Sequence, residues 1–303
     1  MNINQDYIIE RKRTAQELGR WRIATFAALV IGILFFARGF LIPSNKSLGN
    51  GYIGSVFIED IIFEDTKRDN KLQEIANNDN IKGLIVHVNS PGGTVVGSEK
   101  IYNILRKISK SKPVVVVMGT LAASGGYLIS LGADHILSHN GTITGSIGVI
   151  FQTAEITDLA EKLGIKFNNF KSGYLKASPN PTEKLTPEVR DAIMANIQDT
   201  YEYFTALVSE RRKIPLDDVI KIADGRIYSG RQALKLKLVD AIGDQDDAIK
   251  WMQENKQIGN LTVKEVKINS DNKLVDVLFG DLGEKISSIV SFQKLKGITS
   301  IFN

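Results

Sequence analysis

Residues 112–138 read "KPVVVVMGTLAASGGYLISLGADHILS". Val114 to Val117 form an unbroken β-branched run rather than an alternating one, which is the pattern of a strand buried on both faces. A cluster of small residues follows, and then the apolar "YLIS" of a short helix. The order is strand, glycine turn, helix. Just upstream, residues 82–111, "KGLIVHVNSPGGTVVGSEKIYNILRKISKS", repeat it, with Ile101, Ile104, Leu105 and Ile108 on one helical face. Two consecutive units of this kind predict an α/β domain with a largely parallel sheet.

Outward from this pair, "YIGSVFIEDIIF" at 52–63 has the β-branched content of a strand, and Leu72, Ile75 and Ala76 have helical spacing. On the other side, Val189, Ile193, Ile197, Tyr201, Phe204 and Val208 predict a helix over 187–213. Residues 216–243 read as helix, turn and a further helix. The last fifty residues are more polar, except where Leu274, Leu278, Leu282, Ile286 and Ile289 share one helical face.

The N-terminus predicts a membrane anchor. Ile23 to Ile42 is a 20-residue segment whose sole charge is Arg38, long enough to span roughly 30 Å of hydrocarbon. Arg11, Lys12, Arg13, Arg20 and Arg22 precede it, whereas Lys46 alone is basic in the fifteen residues after it. The positive-inside rule therefore puts residues 1–22 in the cytoplasm and the rest outside. No small-residue cleavage site follows the apolar run, which argues for an anchor over a removed signal. The expected organisation is a cytoplasmic segment 1–22, an anchor 23–42, a turn-rich linker 43–51, an α/β domain 52–250 and a C-terminal extension 251–303. That extension is expected to be helical, its apolar face closing the core, making an oligomer contact or lying on the membrane. A net charge of +4 without a long basic block argues against nucleic acid. The absence of cysteine excludes disulfides, thiol catalysis and cysteine-ligated metals.

Ser124 falls where strand passes to helix, so it is either a helix cap or a nucleophile. Gly125 and Gly126 behind it, and Gly92 on the neighbouring turn, would let a substrate backbone approach. "NSPGG", Asn89 to Gly93, ends the neighbouring strand, and Gly92 and Gly93 can present an N–H to a developing oxyanion. Histidine is the usual base for a serine. His87 reads as a sheet residue, and His135 and His139 as residues of a solvent-facing loop. A neutral lysine amine is the other choice, and residue types alone do not select one.

"NSPGG", "GTLAASGGYLIS", "GTITGSIGV", "FKSGYLKASPNP" and "IADGRIYSGRQALKLKLVDAIG" occur in this order. Together they resemble the signal peptide peptidase A family over roughly residues 50–250. The resemblance implies the fold shared by Clp peptidase and crotonase, and a membrane-anchored serine endopeptidase with a Ser–Lys dyad. It implies Ser124 as nucleophile and Lys176 as base, with Lys171 as the rival lysine. The oxyanion hole would be the N–H groups of Gly93 and Ser124, and Ser146 would orient the lysine. It further implies remnant signal peptides and other apolar peptides as substrates, no metal or organic cofactor, and a homo-oligomer, an octamer being one form. This chain has a single half with no internal repeat, and so resembles the family's short form. There, base and nucleophile lie in one catalytic domain and neighbouring subunits complete the cleft. An acyl-CoA hydratase or isomerase of the crotonase type is the rival enzyme class, and an inactive membrane-bound scaffold the non-enzymatic one.

Overall fold

A computed structural model describes residues 51–268, together with Thr25 and Leu29, which are helical and exposed. The rest of the expected anchor and the apolar helix expected over 274–289 lie outside the described residues. Among the described residues no helix is long and apolar enough to cross a membrane.

The chain alternates strand and helix, as the paired units predict. β1 (Tyr52–Glu59), β2 (Ile81–Ser90) and β3 (Val114–Ala123) are separated by α1 (Thr66–Asn77) and α2 (Val95–Ser109). After β3 come α3 (Gly125–Ser130), β4 (His135–Ser138) and β5 (Ile143–Gly145), and then α4 (Thr157–Lys162) and the long α5 (Pro187–Arg212). The last part holds α6 (Leu216–Ile222), β6 (Ile227–Ser229), α7 (Gly230–Lys235), β7 (Ala241–Ile242), α8 (Gln245–Lys256) and β8 (Val263–Glu265).

These strands make one eight-stranded sheet in the order β6-β5-β3-β2-β1-β8, with β4 joining β3 to β7. Every pairing is parallel except β5 with β6. Strand residues alternate between two cores, because successive side chains point to opposite faces. Val56, Val86 and Val116 pack on one face with Ile101 and Leu105 of α2. Ile53, Ile85, Val115 and Val117 pack on the other with Ala248 and Met252 of α8. Both faces are therefore covered, which is why the valine run does not alternate. The four apolar residues expected on one face of α2 are all buried.

Three expectations change. The turn expected between the helices of 216–243 contains β6, and the end of that stretch contains β7. The expected domain end at residue 250 cuts through α8: Met252 is fully buried, and β8 pairs with β1 through Ile53, Gly54 and Ser55. Residues 251–268 thus complete the sheet and its second core rather than extend from them. His135 lies in β4 instead of a solvent-facing loop. It stacks on Trp251 with ring centroids 4.7 Å apart, and burial holds its pKa below the ordinary histidine value.

Lys112, just before β3, is buried and donates to the carbonyls of Ile75 and Asn78, both at 2.6 Å, closing the C-terminal end of α1. Each carbonyl also accepts a backbone N–H, Ile75 O from Asn78 and Asn78 O from Ile81, so the ammonium adds a second donor to each. Lys112→Met keeps the stem and removes both bonds. It is expected to cost about 1–3 kcal/mol, read as a lower melting temperature with the fold retained. An unchanged melting temperature would show that water replaces the ammonium at no cost.

Candidate active site

β3 ends at Ala123 and α3 begins at Gly125, leaving Ser124 alone at the junction with φ 52° and ψ −119°. A non-glycine residue held there carries roughly 1–3 kcal/mol of backbone strain. Ser124 occupies the N-cap position, yet its side chain accepts no capping hydrogen bond. The strain is supported by the backbone instead. Ser124 N–H donates to Gly145 O at 2.9 Å, and Ser124 O accepts from Leu128 N at 2.9 Å. The first of these continues the β3–β5 ladder, in which Leu121, Ala122 and Ala123 pair with Ile143, Thr144 and Gly145. α3 is anchored at its far side by Tyr127, whose buried hydroxyl donates to Leu238 O at 2.9 Å.

The Ser124 amide, expected in the oxyanion hole, is therefore already engaged. Two neighbouring amides are not. Gly93 N–H and Gly125 N–H find no acceptor among the described residues. For Gly125 this follows from its place as the first residue of α3, where a helix leaves its amides free. Gly93, Ser124 and Gly125 all border one cavity of about 90 Å³ with apolar walls, including Val95, Leu128 and Phe204.

The glycines of the two turns lie against each other. A Cβ added to Gly125 would stand 2.3 Å from Ser98 Oγ and 3.1 Å from Gly93 N. One on Gly92, whose φ is +105°, would stand 2.9 Å from Ser124 Cβ. Gly92 and Gly125 are buried, and the space before them is filled by the opposing turn of this chain. They admit the two strand ends to each other.

Ser124 also borders a larger cleft of about 550 Å³, with Ser146, Gly148, Ile197, Tyr201 and Asp224 among its walls. Ser146 is held by its N–H, which donates to Arg226 O at 2.8 Å, and has φ +48°. Ser124 and Ser146 thus face one space. Asp224 is tied to Arg226, and the hydrogen bonds from that guanidinium draw its carboxyl down to about 2. It stays a carboxylate through the range in which a peptidase works.

Lys176 is exposed, and no lysine borders either cavity that Ser124 borders. Among the described residues, no hydrogen bond joins Lys176 to Ser124 within one chain. Lys171 donates to Ser178 Oγ at 2.7 Å and to the Glu183 carboxylate. Glu183 also accepts from Asn169 and Asn180, so this cluster braces the turn that carries Lys176. Its hydrogen bonds, that from Lys171 foremost, lower the Glu183 carboxyl below its ordinary range. No histidine borders the cavities beside Ser124 either. His87 stacks on Phe57, with 4.6 Å between ring centroids, and its Nε2 lies 3.1 Å from Gln245 Oε1.

A serine on a strained strand-to-helix turn beside two unused amides defines an acyl-transfer site of the serine-hydrolase class. The chain matches the model of peptidase family S49 over residues 106–259. It is 36% identical over 225 residues to a protein of Methanocaldococcus jannaschii that bears a protease name, covering 73% of this chain and 72% of that one. A protein of Enterococcus faecium named for signal peptide peptidase SppA is 37% identical over 76% of this chain and 65% of its own. Protease 4 of Salmonella typhi is 38% identical over 56% of this chain, and the match spans 27% of that longer relative. The chain belongs to peptidase family S49, the signal peptide peptidase A family, and is a serine protease. Its mixed α/β sheet is consistent with a Clp peptidase-like fold.

Proposed function

We propose that this chain is a membrane-anchored endopeptidase in which Ser124 is the nucleophile and Lys176 the base. The observation that carries this is the strained, uncapped Ser124, bordering one cavity with two amides that have no acceptor. Ser124 Oγ attacks the peptide carbonyl carbon as its proton passes to the Lys176 amine. The carbonyl oxygen becomes an oxyanion received by Gly93 N–H and Gly125 N–H. The C–N bond then breaks, the Lys176 ammonium protonates the leaving amine, and water hydrolyses the ester left on Ser124. Ser146, across the shared cleft, orients the incoming amine.

Lys176 reaches Ser124 from a second copy of the chain. Two features support this: Lys176 is exposed within its own chain, and its segment displays much apolar surface. Phe170 is 98% exposed, Ile150 77% and Leu163 67%, more than a lone soluble subunit usually leaves uncovered. The working form is then a homo-oligomer, an octamer being one closed arrangement. The N-terminal anchor of residues 23–42 holds the catalytic domain on the extracytoplasmic side of the cell membrane, near its substrates. These are remnant signal peptides and other apolar peptides, which suit the apolar walls beside Ser124.

The test is hydrolysis of an apolar fluorogenic peptide by the full chain in detergent across pH. With an amine as base, the rate is expected to climb from acid to alkaline pH. A profile flat over that range would remove lysine from the mechanism.

A further inference from the structure

Gly93 N–H can serve an oxyanion only if its peptide plane is fixed, and the structure shows what fixes it. Gly92 C=O accepts from Ile62 N at 2.9 Å, and Thr94 N donates back to Ile62 O at 2.8 Å. In a trans peptide the C=O and the following N–H point opposite ways. Holding Gly92 C=O towards Ile62 therefore turns Gly93 N–H away from that strap, on the side where Gly93 borders the cavity with Ser124. The approach is tight, since a Cβ on Gly93 would stand 2.0 Å from Ile62 O.

The other side of Gly92 is held by a side chain. Ser90 Oγ accepts from Gly92 N at 3.1 Å and donates to Asp60 O at 2.5 Å. Ser90 is fully buried, and Asp60, at the head of the Ile62 strap, has φ +59°. One hydroxyl thus joins the glycine turn to the strap on which that turn leans. The Ser90 bonds hold the peptide unit before that plane, through Gly92 N–H, and the strap on which it leans, through Asp60 O; they come from a side chain and can be removed by substitution.

We infer that Ser90 is a positioning residue of the protease. Resting on the proposed roles of Ser124 and Gly93, it sets the direction of the oxyanion-binding amide while touching no substrate. Ser90→Ala frees the buried Gly92 N–H and Asp60 O together, and the turn is released to rotate. Misplacing an oxyanion donor costs on the order of 10- to 100-fold in rate.

The experiment compares full-length wild type, Ser90→Ala, Ser90→Cys and Ser124→Ala in detergent. It reads kcat and KM on an apolar peptide and the affinity for a peptide aldehyde, whose adduct with a serine places an oxyanion in the hole. Ser90→Ala is expected to lower kcat by about 10- to 100-fold with KM nearly unchanged, and to weaken the aldehyde by a similar factor. Ser90→Cys, which keeps a weaker acceptor and donor, is expected to fall between. If Ser90→Ala does not fold, the cysteine variant decides by the same two readouts. A Ser90 variant that melts earlier but keeps wild-type kcat and aldehyde affinity overturns the inference and leaves Ser90 a packing residue. If Ser124→Ala cleaves as wild type does, the reading of the site fails instead, so the two failures are distinct.

Discussion

Ser124→Ala is expected to lower peptide hydrolysis by about 10⁴-fold or more while leaving the melting temperature unchanged. The second half of that expectation comes from what the side chain does not do. Ser124 sits at an N-cap position, where a capping serine replaced by alanine would cost about 1 kcal/mol. Its side chain makes no such bond. The bonds that hold the junction, to Gly145 O and from Leu128 N, belong to the backbone and survive the change. Alanine meets the same penalty at φ 52° as serine, so the strain is neither relieved nor increased. Rate and stability therefore separate. Loss of rate with an unchanged melting temperature makes Ser124 the nucleophile. Wild-type hydrolysis by the variant would leave the strained junction a matter of folding alone.

That separation is only half visible in the sequence. Small residues clustered at "AASGG" and "SPGG" announce that the backbone must come close to something, and the valine run places both clusters at the ends of buried parallel strands. What the backbone comes close to is another matter. Gly92 and Gly125 face each other's turns, because β2 and β3 are hydrogen-bonded neighbours whose register shifts between Val88 and Ser90. Nothing local to either motif encodes that contact. The engagement of the Ser124 amide is hidden for the same reason. Gly145 O lies 21 residues away in sequence and reaches Ser124 only because β5 takes over from β4 as the partner of β3.

Short elements are the least legible. β6 and β7 are three and two residues long, too short for any period to show. His135 reads as solvated because its neighbours are polar, yet Trp251 from α8 covers its ring. Ser90 carries a weak signal: a serine two residues before a glycine that needs positive φ can bond that glycine's amide. In the sequence it passes as part of a turn. The strap at Asp60–Ile62, which makes the bond consequential, arrives from the end of β1.

Mixing two inactive variants is expected to restore hydrolysis. In Lys176→Ala the nucleophile is intact, and in Ser124→Ala the lysine is. Each alone is expected to be inactive. If one copy lends Lys176 to the Ser124 of the next, a mixed oligomer contains sites in which an intact serine meets an intact lysine. With equal amounts and random exchange, about a quarter of the sites are whole, because each requires the right copy at two adjacent places. The physical case rests on where the segment around Lys176 points its apolar side chains. Phe170, Tyr174 and Leu175 are exposed together with Lys176, whereas Lys171 and its cluster with Glu183 turn inward and stiffen the turn. A turn braced from within and apolar without is suited to docking on another surface rather than to folding back on its own chain. The cleft beside Ser124 and Ser146 offers such a surface, with Ile197 and Tyr201 of α5 along its wall. The measurement is peptide hydrolysis by the two variants co-expressed and purified together in detergent, set against each variant alone. Recovery of a substantial fraction of the wild-type rate places base and nucleophile on different copies. A co-purified mixture as inactive as its components would return Lys176 to the Ser124 of its own chain, reached by movement of the segment that carries it.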